Sequence, residues 1–355
     1  MNGHSFQRLR AWSTALATLA GLATAAHGCG GDFDPSSRVT SLRILAVSAD
    51  VRWSDSTRIR GQAYAAPGEE VTLRAEWYHP PSDVRPRQWI WLRCVDPEST
   101  TVAGCIAAIG QEAQQTRDLQ KAFLTIPVEG ADVDVVKLTV PADALTRLSP
   151  EGRRNATVGV VTLLCPGKIE LSDLSAIDSG SVPVACREYG TGKVLPLDQW
   201  VAGIKRIFVR ARDRNENPRP QQAGGATGIT WDGKDWPEAE IKEVAACETD
   251  GNRYDKCKDA DHHDVALTLT PDSFEQGVDE SGLPFHEQVI VEYYSTEGLF
   301  DKEVRIAQNP GTAWVARSAA KGAGFDGTDP LTMWFVAHDS RGGTVWAERQ
   351  VRVRK

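Results

Sequence analysis

Alternating apolar and polar residues recur along the chain with the two-residue period of a half-buried β-strand. Residues 70–77 read Glu-Val-Thr-Leu-Arg-Ala-Glu-Trp, which places the apolar side chains on one face and the polar ones on the other. Residues 206–212 and 265–270 repeat this pattern, and residues 331–337 are apolar on both faces, as in a central strand. Helical periodicity is confined to short stretches such as residues 142–148. Many short strands between Gly, Pro and Asn turns predict an all-β fold built from sandwiches.

The predicted strands fall into two sets on either side of a polar segment. The first set lies within residues 38–213 and contains long loops. The second set lies within residues 221–355. Residues 214–220, Arg-Asn-Glu-Asn-Pro-Arg-Pro, are polar and contain two prolines, which is typical of a linker between domains. We therefore predict two β-sandwiches in tandem, the first one enlarged by its loops.

The second set closes with a hairpin and a long alternating strand. The hairpin sequence at residues 335–343 is Phe-Val-Ala-His-Asp-Ser-Arg-Gly-Gly. This ending resembles immunoglobulin-like modules of the PKD and cadherin kind. The resemblance implies an immunoglobulin-like sandwich for the second set, and the first set is similar in plan. Because one fold serves many functions, this resemblance predicts no activity.

The first 28 residues have the features of an export signal. Two arginines precede a stretch without charged residues that is too weakly apolar to span a membrane. Its end, Ala-His-Gly-Cys at residues 26–29, resembles a bacterial lipobox. The resemblance implies a lipoprotein signal peptide over residues 1–28, acylation of Cys29 and a lipidated tether over residues 29–37. It also implies a place in the bacterial cell envelope, on either face of the outer membrane; the alternative is an ordinary signal peptide.

Six of the seven cysteines remain once Cys29 is assigned to the lipid anchor. An even number of cysteines in an oxidising compartment predicts disulfides. We favour the sequential pairing because short loops close readily. The predicted pairs are Cys94 with Cys105, Cys165 with Cys186, and Cys247 with Cys257. A zinc site formed by the third pair with His262 and His263 is the alternative, although no CxxC spacing supports it.

The charge of the chain argues against nucleic acid as a partner. The sequence has 40 Lys and Arg residues and 48 Asp and Glu residues, a net charge of −8. Removal of residues 1–28, which carry two arginines and no acid, makes it −10. Phosphate binding needs a basic surface instead. The GxGxxG pattern at residues 322–327 leads into a predicted strand rather than a helix, so we predict no nucleotide partner either.

Two oxygen-rich segments are candidate calcium sites. Residues 213–218, Asp-Arg-Asn-Glu-Asn-Pro, resemble the cadherin interdomain motif, whose oxygens bind calcium, although the spacer before the proline is missing. Residues 248–264 crowd acids into one loop, without the order of a standard calcium loop. The candidate ligands are Asp213, Asn215, Glu216 and Asn217 in the first segment and Asp250, Asn252, Asp255, Asp259 and Asp261 in the second. The alternative is turn chemistry and solvated charge.

Eleven tryptophans allow two interpretations. Trp89 and Trp91 occupy a strand where sandwiches bury tryptophan, which favours packing in the core. Exposed aromatic side chains would instead form platforms for sugar rings, for which Trp231, Trp236 and the pair at residues 293–294 are the candidates.

No motif indicates catalysis, since GxSxG and HExxH are absent. We therefore predict a non-enzymatic, envelope-anchored lipoprotein whose sandwiches bind a protein or a glycan. A structural spacer or assembly lipoprotein of an envelope complex is the alternative. An enzyme with a site built from the long loops of the first sandwich is the third hypothesis.

Overall fold

The computed structural model describes residues 36–51, 61–94, 105, 133–146, 148–171, 184–222, 227–247, 254–317 and 329–354. Strands dominate these ranges, and one short α-helix and several 3-10 turns accompany them. The all-β class and the sandwich architecture predicted from the sequence are therefore confirmed. Within the same ranges, no helix has the length and apolar character needed to cross a membrane. The lipobox and residues 322–327 lie outside the described residues.

The first sandwich is formed by two three-stranded antiparallel sheets with the orders β1-β2-β4 and β3-β5-β8. A separate hairpin, β6-β7, and helix α1 complete it. The elements are β1 (Arg43–Val51), β2 (Glu70–Tyr78), β3 (Gln88–Cys94), β4 (Val135–Thr139), α1 (Pro150–Arg154), β5 (Thr157–Cys165), β6 (Lys168–Leu171), β7 (Val184–Arg187) and β8 (Val201–Phe208).

The core of this sandwich follows the alternation in the sequence. Val71, Leu73 and Ala75 of β2 are buried and face Trp89 and Trp91 of the other sheet. Strand β5 is buried at every position because it is the central strand of its sheet and is covered on both faces. The core-packing interpretation of the two tryptophans is thus confirmed.

The second sandwich is formed by two five-stranded sheets with the orders β10-β9-β12-β18-β16 and β11-β20-β19-β15-β17. Strand β11 pairs in parallel with β20, and a separate hairpin, β13-β14, extends from the body. The strands are β9 (Ile229–Trp231), β10 (Lys234–Asp235), β11 (Ile241–Ala245), β12 (His263–Leu267), β13 (Gln276–Val278), β14 (Pro284–His286), β15 (Val289–Ser295), β16 (Leu299–Phe300), β17 (Val304–Ile306), β18 (Thr312–Val315), β19 (Leu331–Asp339) and β20 (Thr344–Arg354).

One local expectation was wrong. Residues 142–146 form turns rather than a helix, and the helix begins at Pro150 instead. Ser149 caps it, because its Oγ accepts a hydrogen bond from the Gly152 N–H at 3.1 Å. Proline in the first turn needs no hydrogen-bonded N–H, so this Ser-Pro pair is a better start signal than the apolar spacing before it.

The six described cysteines form three disulfides with the pairing favoured from the sequence. The Cα–Cα distances are 5.3, 5.7 and 5.5 Å for the pairs Cys94–Cys105, Cys165–Cys186 and Cys247–Cys257. All lie in the range of ordinary disulfides. The zinc alternative is wrong, because two of its four ligands are bonded to each other.

The two sandwiches contact each other through an apolar interface. Val39 and Leu45 of the first sandwich pack with Trp334 and Val336 of β19 in one buried cluster. The Trp334 indole also donates a hydrogen bond to Glu76 Oε1 at 2.9 Å. Strand β19 is therefore apolar on both faces because one face packs in its own sandwich and the other packs against the neighbouring one.

Candidate binding cleft

A cleft of about 620 Å³ lies between the two sandwiches, at one end of their interface. One wall comes from residues 145–146 and from α1 of the first sandwich, and the other from residues 278–281 at the tip of β13-β14. Residues 211–213, just before the linker, line it as well. A smaller cavity of about 140 Å³ adjoins it and is lined by Tyr64, Phe285 and Arg341, among others.

Arg210, which lines the smaller cavity, holds the C-terminal end of α1 in the cleft wall. The Arg210 guanidinium donates to the carbonyl oxygens of Arg153, at 3.4 Å, and of Arg154, both in the last turn of the helix. These bonds satisfy carbonyls that a helix end leaves without partners. In contrast, no hydrogen bond or ion pair holds the guanidinium groups of Arg154 and Arg212 among the described residues, and both line the cleft.

The hairpin wall is tied to the residues that enter the linker. The Glu280 N–H donates to Asp213 Oδ2 at 2.8 Å, and the Glu280 carboxylate accepts from the Arg212 N–H at 3.0 Å. Asp279 Oδ1 accepts from the Ser281 N–H at 2.9 Å and so closes the tip. The acidic side chains of this wall accept from main-chain amides, whereas the guanidinium groups of Arg154 and Arg212 have no bonded partner among the described residues and can donate to a ligand.

Arg341 forms the floor where the cleft meets the smaller cavity. Its guanidinium carbon lies 3.9 Å from the ring centre of Phe285 and 4.8 Å from that of Tyr64, which is cation–π geometry. Its Nε donates to the Tyr64 hydroxyl at 3.2 Å, and its Nη1 is 2.9 Å from Glu275 Oε2. Burial raises the pKa of Tyr64, so its hydroxyl stays neutral at physiological pH.

Behind this floor, two linker asparagines join the sandwiches. Asn215 is fully buried, and its Nδ2 lies 3.2 Å from the Asp339 carboxylate at the end of β19. Asn217 donates through Nδ2 to the Ala49 carbonyl at 2.8 Å, and its Oδ1 accepts from the Thr344 N–H at 3.0 Å. Each side chain thus connects the linker to the β19-β20 hairpin, and Asn217 reaches the first sandwich as well.

The candidate calcium ligands of the linker are directed to different partners. Asp213 accepts from the cleft hairpin, the two asparagines are engaged as described, and the Glu216 N–H donates to Glu275 Oε1 at 3.1 Å. Across the described ranges, no three His, Cys, Asp or Glu side chains gather into a group that could hold a metal ion. Calcium binding at the linker stays a prediction.

The second calcium candidate lies only partly within the described residues. Asp250 and Asn252 fall outside them. Asp255 is 3.7 Å from its neighbour Lys256, and Asp259 and Asp261 lie in a 3-10 turn. These three acids form no shared metal group, so this site also stays a prediction.

Two ionisable groups beside the junction are buried. Burial lowers the pKa of Lys205 to about 8, although its Nζ donates to the Gly342 carbonyl at 2.7 Å and to Thr344 Oγ1 at 2.9 Å. Burial, together with the nearby Asp339 carboxylate, raises the pKa of Glu287 to about 8. Since both shifts favour the neutral form, the charged forms cost folding free energy here.

The aromatic residues proposed as sugar platforms are not exposed. Trp231, Trp236 and Tyr293 are buried in the core of the second sandwich. Tyr294 is partly buried against the first sandwich, where its hydroxyl donates to Glu292 Oε2 at 2.8 Å. These side chains therefore stabilise the fold and the interface.

The sequence analysis did not predict the cleft, because its lining residues lie in three separate segments that share no motif. Arg154 is the last residue of α1, between β4 and β5, Arg212 follows β8, and the hairpin lies some 70 residues farther on. The turn at Asp279 was the one local signal, because Asp followed by Gly282 favours a tight hairpin. Which walls would face each other depended on how the sandwiches dock, which local patterns do not encode.

Comparisons with known proteins identify no family. No protein-family model and no curated protein matches this chain. Among solved structures, a glycosyl hydrolase family 2 member from Bacteroides cellulosilyticus matches with 8% sequence identity and a TM-score of 0.18, over 88% of this chain and 29% of that chain. The chain thus spans less than a third of that protein, and the likeness is too distant to carry a functional argument.

Proposed function

We propose that the protein is a non-enzymatic lipoprotein of the bacterial cell envelope, anchored through Cys29, that binds a protein or glycan in the cleft between its sandwiches. The observation that carries this proposal is the cleft itself, a concave site whose walls come from both sandwiches. The three disulfides support an extracytoplasmic location, since such bonds persist in oxidising compartments.

The chemistry of the cleft favours a ligand with anionic groups. Arg154 and Arg212 present guanidinium groups that no described side chain neutralises. Guanidinium groups bind carboxylates through paired, charge-assisted hydrogen bonds. Leu145, Pro150 and Val278 add apolar surface beside them. A carboxylate-bearing glycan or an acidic peptide segment matches this combination.

The test is capture of envelope components by the acyl-free protein. Carboxylate-bearing envelope glycans and envelope proteins are offered to the wild-type chain and to a variant with Arg154→Glu and Arg212→Glu. The matched control carries Arg74→Glu and Arg206→Glu, two exposed arginines on strands outside the cleft. We expect the cleft variant to lose at least tenfold in affinity while the control binds like wild type. Equal binding by all three, or turnover of a captured glycan, would contradict the proposal.

The interface between the sandwiches favours a structural spacer as the second candidate. Trp334, Val336 and the two linker asparagines fix one sandwich on the other. A spacer needs this stiffness and does not need a free cleft. The spacer hypothesis therefore expects assembly into an envelope complex to survive the cleft substitutions and to fail when Val336→Asp opens the interface, which small-angle scattering would detect as an increased radius of gyration.

A further inference from the structure

The first described residues are held at one end of the second sandwich. The Val39 N–H donates to the Ser295 carbonyl at 2.8 Å, and the Ser295 N–H donates to the Ser37 carbonyl at 2.9 Å. Ser37 Oγ also donates to Glu303 Oε1 at 2.9 Å. These bonds continue the edge of the sheet beyond β17. The chain therefore enters the body beside Glu303, at Ser36.

This entry point and the cleft lie at opposite ends of the molecule. Strand β1 starts near Ser36 and ends at Val51, whose N–H donates to Gln62 beside the linker. Strand β15 runs the other way, from Val289 at the base of the cleft hairpin to Ser295. At about 3.3 Å per residue, the nine residues of β1 span about 27 Å. We name these the tether end and the cleft end.

Two loops at the tether end of the first sandwich present apolar side chains to solvent. Residues 79–87 follow β2, whose last residue pairs with the first residue of β1. Leu197 precedes β8, whose start pairs with the end of β5. Val84 in the first loop is 89% exposed and Leu197 is 78% exposed, the two highest values for large apolar residues in the described ranges.

We propose that the tether end rests on the phospholipid surface that holds the acyl chains of Cys29, with Val84 and Leu197 in contact with the lipid, and that the cleft opens away from the membrane. This inference rests on the lipid anchor of the proposed function. Apolar loop residues gain free energy by leaving water for the lipid interface.

The length of the tether supports this orientation. Cys29 and Ser36 are seven peptide units apart in the sequence, so the connection spans at most about 25 Å. That reach is slightly shorter than β1. To turn the cleft end toward the lipid, the tether would have to run fully extended along the whole body. The tether end is therefore the end that the anchor keeps at the surface.

The experiment measures depth in the bilayer with the full-length lipidated chain. The variants V84C and V278C each replace an exposed valine, the first at the tether end and the second at the cleft hairpin. The introduced thiol is labelled with bimane in each variant. L197C and L283C form a second matched pair at the same two ends. The proteins are bound to phosphatidylethanolamine and phosphatidylglycerol vesicles that contain brominated lipid, which quenches only nearby fluorophores.

We expect quenching of the labels at positions 84 and 197 to exceed that at positions 278 and 283 at least threefold. Vesicle flotation of the unlabelled chain comes first, and trypsin resistance checks that each labelled variant is folded. A chain that does not float overturns the lipid anchor and the orientation together. A chain that floats but shows equal quenching at both ends, or more at the cleft end, overturns the orientation alone.

Discussion

Glu76 is a partly buried carboxylate at the interface between the sandwiches, and its substitution gives the sharpest test of how that interface is stabilised. It lies on β2 and accepts the Trp334 indole hydrogen bond at 2.9 Å. Burial and, to a smaller extent, the nearby Glu348 carboxylate raise its pKa to about 7, against the opposing effect of the indole donors. The ionised form is thus disfavoured in the folded protein.

The raised pKa of Glu76 makes its contribution to the stability of the folded protein depend on pH. Because the folded state binds this proton more tightly than the unfolded chain, the contribution of Glu76 to stability is highest below about pH 4.5 and is lost as the pH rises toward 7. A shift of this size corresponds to an upper limit of about 3 kcal/mol. Partial solvent exposure of the side chain reduces this to about 1–2 kcal/mol.

The variant Glu76→Gln removes the ionisation and keeps the acceptor for Trp334. We expect it to melt a few degrees above wild type at pH 8 and together with wild type at pH 4.5. Thermal unfolding followed by tryptophan fluorescence at pH 4.5, 6, 7 and 8 measures this. Glu70→Gln on the same strand is the control, because Glu70 is exposed and pairs with Lys137 at the surface. If Glu76→Gln keeps the wild-type pH dependence, the reasoning is refuted.

Three further predictions concern the second sandwich and the linker. Replacing Cys247 and Cys257 by Ser opens a short loop and should cost about 2–3 kcal/mol, measured by urea unfolding under non-reducing conditions. Gly298→Ala should cost about 3 kcal/mol or more in the same assay, because Gly298 has φ +100° and a Cβ there would lie 2.3 Å from the indole nitrogen of the buried Trp314. The control Gly282→Ala has a similar φ of +82° but open space around the Cβ, so it should cost only about 1–2 kcal/mol. Because the side chains of Asp213, Asn215 and Asn217 are already directed to different partners, the melting temperature should be equal in millimolar calcium and in chelator; a rise with calcium would show that an ion site forms.

Much of the strand pattern was predictable because each sandwich buries one face of most strands. The alternation in β2 and in β12 marked the inward positions correctly. Strands β6, β7 and β13 were missed because they have only three or four residues, too few to show a period. The parallel pairing of β11 with β20 is a long-range contact that no local pattern indicates.

Strand β19 is apolar on both faces, and this pattern does not specify which part of the protein covers each face. Residues 331–337 predicted a central strand, and β19 does lie inside its sheet. Yet Phe335 packs in its own core, whereas Trp334 and Val336 pack against β1 of the other sandwich. Burial of both faces was therefore encoded, but the identity of the second partner was not. Packing of one sandwich against the other is one arrangement that buries the second apolar face of such a strand.

The linker asparagines illustrate the same limit for polar residues. An amide side chain can ligate a cation through its oxygen, cap a turn or connect two main chains, and the sequence around it is compatible with all three. In the structure, Asn217 uses both its donor and its acceptor on main-chain groups of the two sandwiches. The choice depends on how Ala49 and Thr344 are placed by the apolar interface, which is a tertiary property.

The shape of the cleft depends on the interface between the sandwiches. Its walls belong to different sandwiches, so a relative rotation of the two bodies would separate Arg154 from the hairpin tip. Trp334 with its apolar neighbours at the tether end, and Asn215 and Asn217 at the cleft end, hold the bodies at two points along β1. Two separated attachments resist rotation where a flexible linker would allow it. The walls are therefore ordered when the protein folds, and no free energy is needed to order them when a ligand binds. A preformed site of this kind binds more tightly than one that must be ordered by its ligand.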